Sequence, residues 1–99
     1  MKFRVLHNPE FFNYKQGDDL VFDDFIAVAD VDAESLEQVF ELTNCITQGW
    51  WLNEGVTALI ESNRRSTSVG DVIVNLDDQS AHAVCMFGFE KLPRCYDGS

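Results

Sequence analysis

One stretch of this chain carries both a helix-start signal and helical spacing, and it stands among short β-forming runs. Any fold therefore has to combine one main helix with a sheet. In Ser35-Leu36-Glu37-Gln38 the Ser and Gln side chains sit where a capping box needs them, each placed to satisfy an amide that the first helical turn leaves without a partner. Leu36, Val39, Phe40 and Thr43 then share one stripe, and Glu34, Glu37 and Glu41 recur on the other side as an acid ridge. Acids at a helix start also favour the backbone dipole, so Glu34 and Glu37 have a structural reason to be there before any partner is invoked.

The strand signals are short. Lys2 to His7 comes close to alternating apolar and polar residues and ends at Asn8-Pro9, which predicts a first strand. Gln16 to Asp19, with Gly17 and consecutive acids, reads as a turn. Phe25 to Val31 is rich in β-forming side chains and leaves the sheet at Asp30 and Asp32. Asp71 to Leu76 and His82 to Phe89, separated by Asp77-Asp78-Gln79-Ser80, predict a hairpin, and Thr57 to Glu61 suits a short helical turn. With 45% apolar residues, twelve aromatics and 99 residues in all, the chain suits one domain with one modest core. The expected architecture is α+β over residues 1–93: a small, mostly antiparallel sheet of about four strands with one main helix packed on one face. Residues 94–99 are expected to form a flexible tail.

Charge is distributed unevenly. From Glu10 to Glu41 there are ten acids and a single base, Lys15, whereas the rest of the chain holds seven acids and six bases. Asp18, Asp19, Asp23, Asp24, Glu34, Glu37 and Glu41 are the acids most suited to facing a partner. A surface of this sign attracts basic proteins and repels phosphate backbones and anionic membranes. Neighbouring acids on a strand diverge, and the pairs Asp18-Asp19, Asp23-Asp24 and Asp77-Asp78 lack the spacing of a calcium loop, so they read as a solvated face. No apolar run reaches the roughly 18 residues that span a bilayer, and Met1 to His7 does not read as a signal peptide, which predicts a cytoplasmic protein.

No catalytic or metal signature emerges. Cys45, Cys85 and Cys95 are odd in number and lack CxxC spacing; Cys85 suits a buried position and Cys95 an exposed one. His82 and Cys85 are three apart, which on a strand points them to opposite faces and defeats a nucleophile pair or a shared metal. The sequence thus implies no cofactor and no metal, with Asp71 and His82 the last-ranked catalytic residues. Trp50 and Trp51, flanked by Gly49 and Gly55, do not both fit a core this small. One is expected inside and one half-exposed, with either able to anchor a partner beside acidic ground.

A denser motif follows: Arg64-Arg65-Ser66-Thr67-Ser68-Val69-Gly70-Asp71-Val72-Ile73-Val74, and later Phe87-Gly88-Phe89. Its simplest account is a turn in which Gly70 adopts a backbone angle other residues avoid, while Ser66, Ser68 and Asp71 bond nearby amides. Arg65 then pairs with an acid of the domain. In the other account Arg64, Arg65, Ser66 and Ser68 form an anion site, since guanidinium forks suit phosphate or carboxylate. The motif resembles a family of small phage and mobile-element proteins with YodL-like domains, which share Arg-Ser, any residue, Ser-Val-Gly-Asp-Val and a strand ending in Gly-Phe or Gly-Trp. Arg65, Ser66, Ser68, Val69, Gly70, Asp71, Val72, Gly88 and Phe89 match, and Val39, Phe40, Leu42, Thr43 and Asn44 look like that family's preceding stretch. The resemblance covers about the C-terminal two thirds and implies no catalytic residues.

Taken together, these features predict a non-enzymatic phage or mobile-element protein in the host cytosol that binds a basic host surface without touching nucleic acid or membrane directly. It would inhibit a nucleic-acid-binding defence component, its carboxylates standing in for phosphates. The alternative is a small-molecule or nucleotide-binding module that uses the Arg/Ser site. Monomer and dimer are equally compatible with the sequence.

Overall fold

Val72, Ile73 and Val74 form an unbroken apolar run, which a strand can accommodate only if both faces of its sheet are covered. That is how they are used: all three are fully buried, Ile73 on one face and Val72 and Val74 on the other. The computed structural model describes residues 1–9, 25–44, 49–60, 65–86, 88–93 and 95–96. Within these, β1 (Lys2–His7), β2 (Ile26–Asp32), β3 (Val56–Ala58), β4 (Val72–Asn75), β5 (Ser80–Val84) and β6 (Phe89–Lys91) form one sheet in the order β3-β2-β1-β4-β5-β6. Every neighbouring pair is antiparallel. The class is the expected α+β with one helix, α1 (Leu36–Thr43), but the sheet has six strands rather than about four.

The two additional strands are the edges, each three residues long and too short to show a period. β3 occupies Val56–Ala58, where a helical turn from Thr57 was expected. It follows Gly55, whose φ of 85° turns the chain back so that its carbonyl accepts from the Asp32 amide at 2.9 Å. The run from His82 to Phe89 divides into the end of β5 and the start of β6. Gly88, at φ 89°, reverses the chain, and the Cys85 amide donates to its carbonyl at 3.0 Å.

The helix starts as the capping signal requires. The Gln38 amide donates to Ser35 Oγ at 3.1 Å, and the Gln38 side chain returns to accept from the Glu34 amide at 2.8 Å. Val39 and Thr43 are buried, and Leu36 and Phe40 are partly so. Together with Trp50 from a 3₁₀ turn (Trp50–Leu52), α1 covers Phe3, Val5, Val31 and Ile73. A bulge between Val5 and Leu6 skips Val28 in the pairing, so Val28 and its neighbour Ala29 both enter this core. On the opposite face, Leu92 and Tyr96 pack with Leu6, Val72, Val74, Ala81 and Ala83. Tyr96 lies in the stretch expected to be a tail. It is held by its amide on the Gln79 carbonyl at 2.9 Å and by its hydroxyl, which accepts from Arg4 at 3.4 Å.

Candidate functional site

The motif from Arg65 to Asp71 gathers around one carboxylate. Asp71 is fully buried just before β4, where Gly70, at φ 97°, sets the approach. Arg65 Nη2 and Nη1 donate to Asp71 Oδ1 and Oδ2, both at 2.7 Å, forming a bidentate fork. Oδ1 also accepts from the Asn8 amide at 2.8 Å, and Oδ2 from the Ser68 amide at 2.7 Å. Arg65 also donates from Nη1 to the Ser66 carbonyl at 3.0 Å and from Nη2 to the Asn8 carbonyl at 3.1 Å. A buried negative charge is costly unless it is paired and bonded; here Arg65 pairs it and the Asn8 and Ser68 amides complete the bonding, which ties the residue after β1 to the motif.

Further polar contacts extend from that centre. Asn8 Nδ2 donates to the Gly70 carbonyl at 3.2 Å, and Trp50 Nε1 to the Arg65 carbonyl at 2.9 Å. The C-terminal end of α1 has carbonyls that the helix itself cannot satisfy and no base in its last turn. The Thr67 amide reaches the Thr43 carbonyl at 2.9 Å, Asn44 Nδ2 reaches the Thr67 carbonyl at 3.0 Å, and Asn53 Nδ2 reaches the Leu42 carbonyl at 2.7 Å. His7 Nε2 lies 3.1 Å from Thr67 Oγ1 and 3.9 Å from Asp71 Oδ2, with its ring edge-on to Trp50. Burial pushes the imidazole down to about 4, outweighing the opposite pull of Asp71; Arg65 adds to the lowering. His7 is therefore neutral near pH 7.

The residues singled out in the sequence fall into separate places. Arg65, Ser66 and Ser68 do come together, but around Asp71: the Arg65 fork already grips a carboxylate of its own chain, as does the Ser68 amide. Trp50 is buried at 1% exposure and belongs to the core, whereas Trp51, packed edge-on against it at 5.7 Å, stays half-buried. Only Trp51 retains surface for a partner. Glu34, Glu37 and Glu41 are exposed along α1. Asp18, Asp19, Asp23, Asp24 and Arg64 lie outside the described residues, as do Lys15, Cys45 and the turn at Gln16 to Asp19.

Asp78, Ser80 and His82 form a hydrogen-bonded chain at the start of β5. Ser80 Oγ donates to Asp78 Oδ1 at 2.6 Å and lies 3.0 Å from His82 Nε2. The serine is in the middle, so its hydroxyl proton points to the carboxylate; activation as a nucleophile needs the imidazole to take it. Those bonds hold the Asp78 carboxyl below its usual range, and partial burial lowers His82.

Arg4 makes a second fork, across β1 and β2, with Nε on Asp30 Oδ1 at 2.7 Å and Nη2 on Oδ2 at 3.1 Å. The Asp30 bond raises the Arg4 pKa above its ordinary value. Lys2 Nζ lies 3.6 Å from Asp32. Cys85 is buried and Cys95 exposed, both as free thiols. Among the described residues no helix is long and apolar enough to cross a membrane. No family model, curated protein or solved structure matches the chain.

Proposed function

We propose that this protein is a non-enzymatic interaction protein that captures a basic partner protein through its acidic surface. The observation that carries the reading is where the charges go. Arg4 and Arg65 are committed to Asp30 and Asp71 in partly buried forks, while Glu34, Glu37 and Glu41 stand exposed along one helix. Each fork cancels one base against one acid, so the net charge of −10 rests on the other charged residues, of which the three helix acids stand exposed. The resemblance of the Arg65–Phe89 stretch to phage and mobile-element proteins supports a setting in an infected cell. There the partner would be a nucleic-acid-binding defence component whose phosphate site the carboxylates occupy. A nucleotide-binding role for Arg65, Ser66 and Ser68 has less support, because an incoming anion would have to displace the buried Asp71 carboxylate from the Arg65 fork.

Affinity capture from cell lysate tests the proposal. A basic nucleic-acid-binding protein should be retained at low salt, released at roughly 0.5 M salt as the field is screened, and displaced by added duplex DNA or RNA. The Glu34→Gln/Glu37→Gln/Glu41→Gln variant should retain its circular dichroism spectrum and lose most of the capture. Equal capture by that variant, or retention of no basic protein, overturns the reading.

A further inference from the structure

A groove of about 330 Å³ opens between α1 and the turn that joins β5 to β6. At its far side Gly88 turns the chain and leaves open space beside its Cα. Phe40, Val69, Val84 and Phe89 give it an apolar lining, and Met86, 77% exposed, stands at its lip. Glu37 and Glu41, one helical turn apart, line its helix side. A methionine so far out of the core contributes little to folding, and its flexible, polarisable side chain adapts to varied apolar surfaces.

The chemistry of this border selects the occupant. Phosphate backbones and anionic lipid headgroups are repelled by the two carboxylates. A second copy of the chain would bring another net charge of −10 against the first. The volume lies near the lower end of the roughly 300–1,000 Å³ of small-molecule sites, which suits one or two side chains better than a whole cofactor. An apolar side chain between cations satisfies both parts of the groove at once. We propose that this groove receives an apolar side chain from a Lys/Arg-rich segment of a partner protein, with the flanking cations of that segment against Glu37 and Glu41. The proposal rests on the capture of a basic partner and assigns that capture a hydrophobic anchor and a location.

The test uses fluorescent hexapeptides on the intact protein, of the form Lys-Lys-x-x-Lys-Lys, with x-x being Leu-Leu, Met-Met, Phe-Phe or Ser-Ser. At least one apolar peptide should bind and shift the Met86 methyl and Phe89 amide resonances, with the Ser-Ser peptide about tenfold weaker. Met86→Ser should weaken the apolar peptide severalfold and leave the Ser-Ser peptide unchanged, whereas Glu37→Gln/Glu41→Gln should weaken both. Equal binding of apolar and Ser-Ser peptides, or shifts confined to other regions, overturns the groove while leaving charge-driven capture standing. Binding by no member of the set also overturns the groove, and the lysate experiment then decides the wider reading on its own.

Discussion

The Asp71 centre and the outer side of α1 use the same chemical group in opposite ways. At Asp71 a carboxylate is removed from water and fully bonded by Arg65, Asn8 and Ser68, which join the end of β1 to the approach to β4. Along α1, Glu37 and Glu41 remain in water beside an apolar groove. The first arrangement makes charge a determinant of the fold, and the second presents charge at the surface. Substitutions in the two regions should therefore separate stability from binding.

The largest effect is expected at Arg65. Arg65→Ala leaves the Asp71 carboxylate buried without its counter-charge, which should cost about 3–5 kcal/mol in chemical denaturation. Arg65→Lys should recover only part of that, since an ammonium cannot form the fork. In a double-mutant cycle with Asp71→Asn, the combined loss should fall short of the sum by at least ~1 kcal/mol. Additive losses would show that the pair is not coupled and would dissolve the contrast with α1.

His7 sharpens the contrast through pH. The unfolded imidazole titrates near 6.5 and the folded one near 4, so above pH 6.5 neither state binds the proton and this group has no effect. Between those values only the unfolded chain takes the proton up, and stability falls as pH falls. From pH 7 to pH 5 the loss should be about 2 kcal/mol. His7→Gln should flatten that dependence, leaving a smaller slope of the same sign from His82, which partial burial also lowers. An unchanged slope in His7→Gln would mean that the imidazole is not desolvated at this site.

These two predictions concern the part of the molecule least visible in the sequence. The capping box at Ser35 and the first strand were legible because each depends on residues within a few positions; that one tryptophan would be inside followed from the size of the core, but that it is Trp50 depends on distant partners such as Phe3 and Arg65. The role of Gly70 was legible too, since only a positive φ explains a glycine in that turn. The organisation around Asp71 was not. Its partner Asn8 is 63 residues away, and Thr67, at the variable position of the motif, meets α1 through backbone groups that any residue supplies and His7, 60 residues away, through its hydroxyl. His7 gave no local pattern. One signal was available: opposite charges at Arg65 and Asp71 spanning a glycine turn, which favoured an internal pair over an anion site. The edge strands escaped because three residues carry no period.

The Arg4–Asp30 fork lies between the two extremes: its guanidinium is about as exposed as that of Arg65, but the Asp30 carboxylate is 33% exposed where Asp71 is fully buried. Water screens what it does not screen at Asp71, so Arg4→Gln should cost about 1 kcal/mol or less. Roughly 1 M salt should halve that cost while leaving the Arg65→Ala penalty nearly intact. Equal salt sensitivity at both forks would mean that solvent reaches Asp71 as freely as Asp30.

The smallest effect on stability is expected where the effect on binding is greatest. Glu37 stands in the first turn of α1 and Glu41 in the last. The helix dipole favours the first and disfavours the second by about 0.3–1 kcal/mol each, so the single substitutions should have opposite signs: Glu37→Gln lowers the Tm and Glu41→Gln raises it. Their mutual repulsion at four residues' separation, about 0.2–0.5 kcal/mol, is relieved in the double variant. Glu37→Gln/Glu41→Gln should then unfold within about 0.5 kcal/mol of the parent while binding basic peptides more weakly. A loss above ~2 kcal/mol in that variant would place these carboxylates with Asp71, as groups the fold depends on rather than groups it presents.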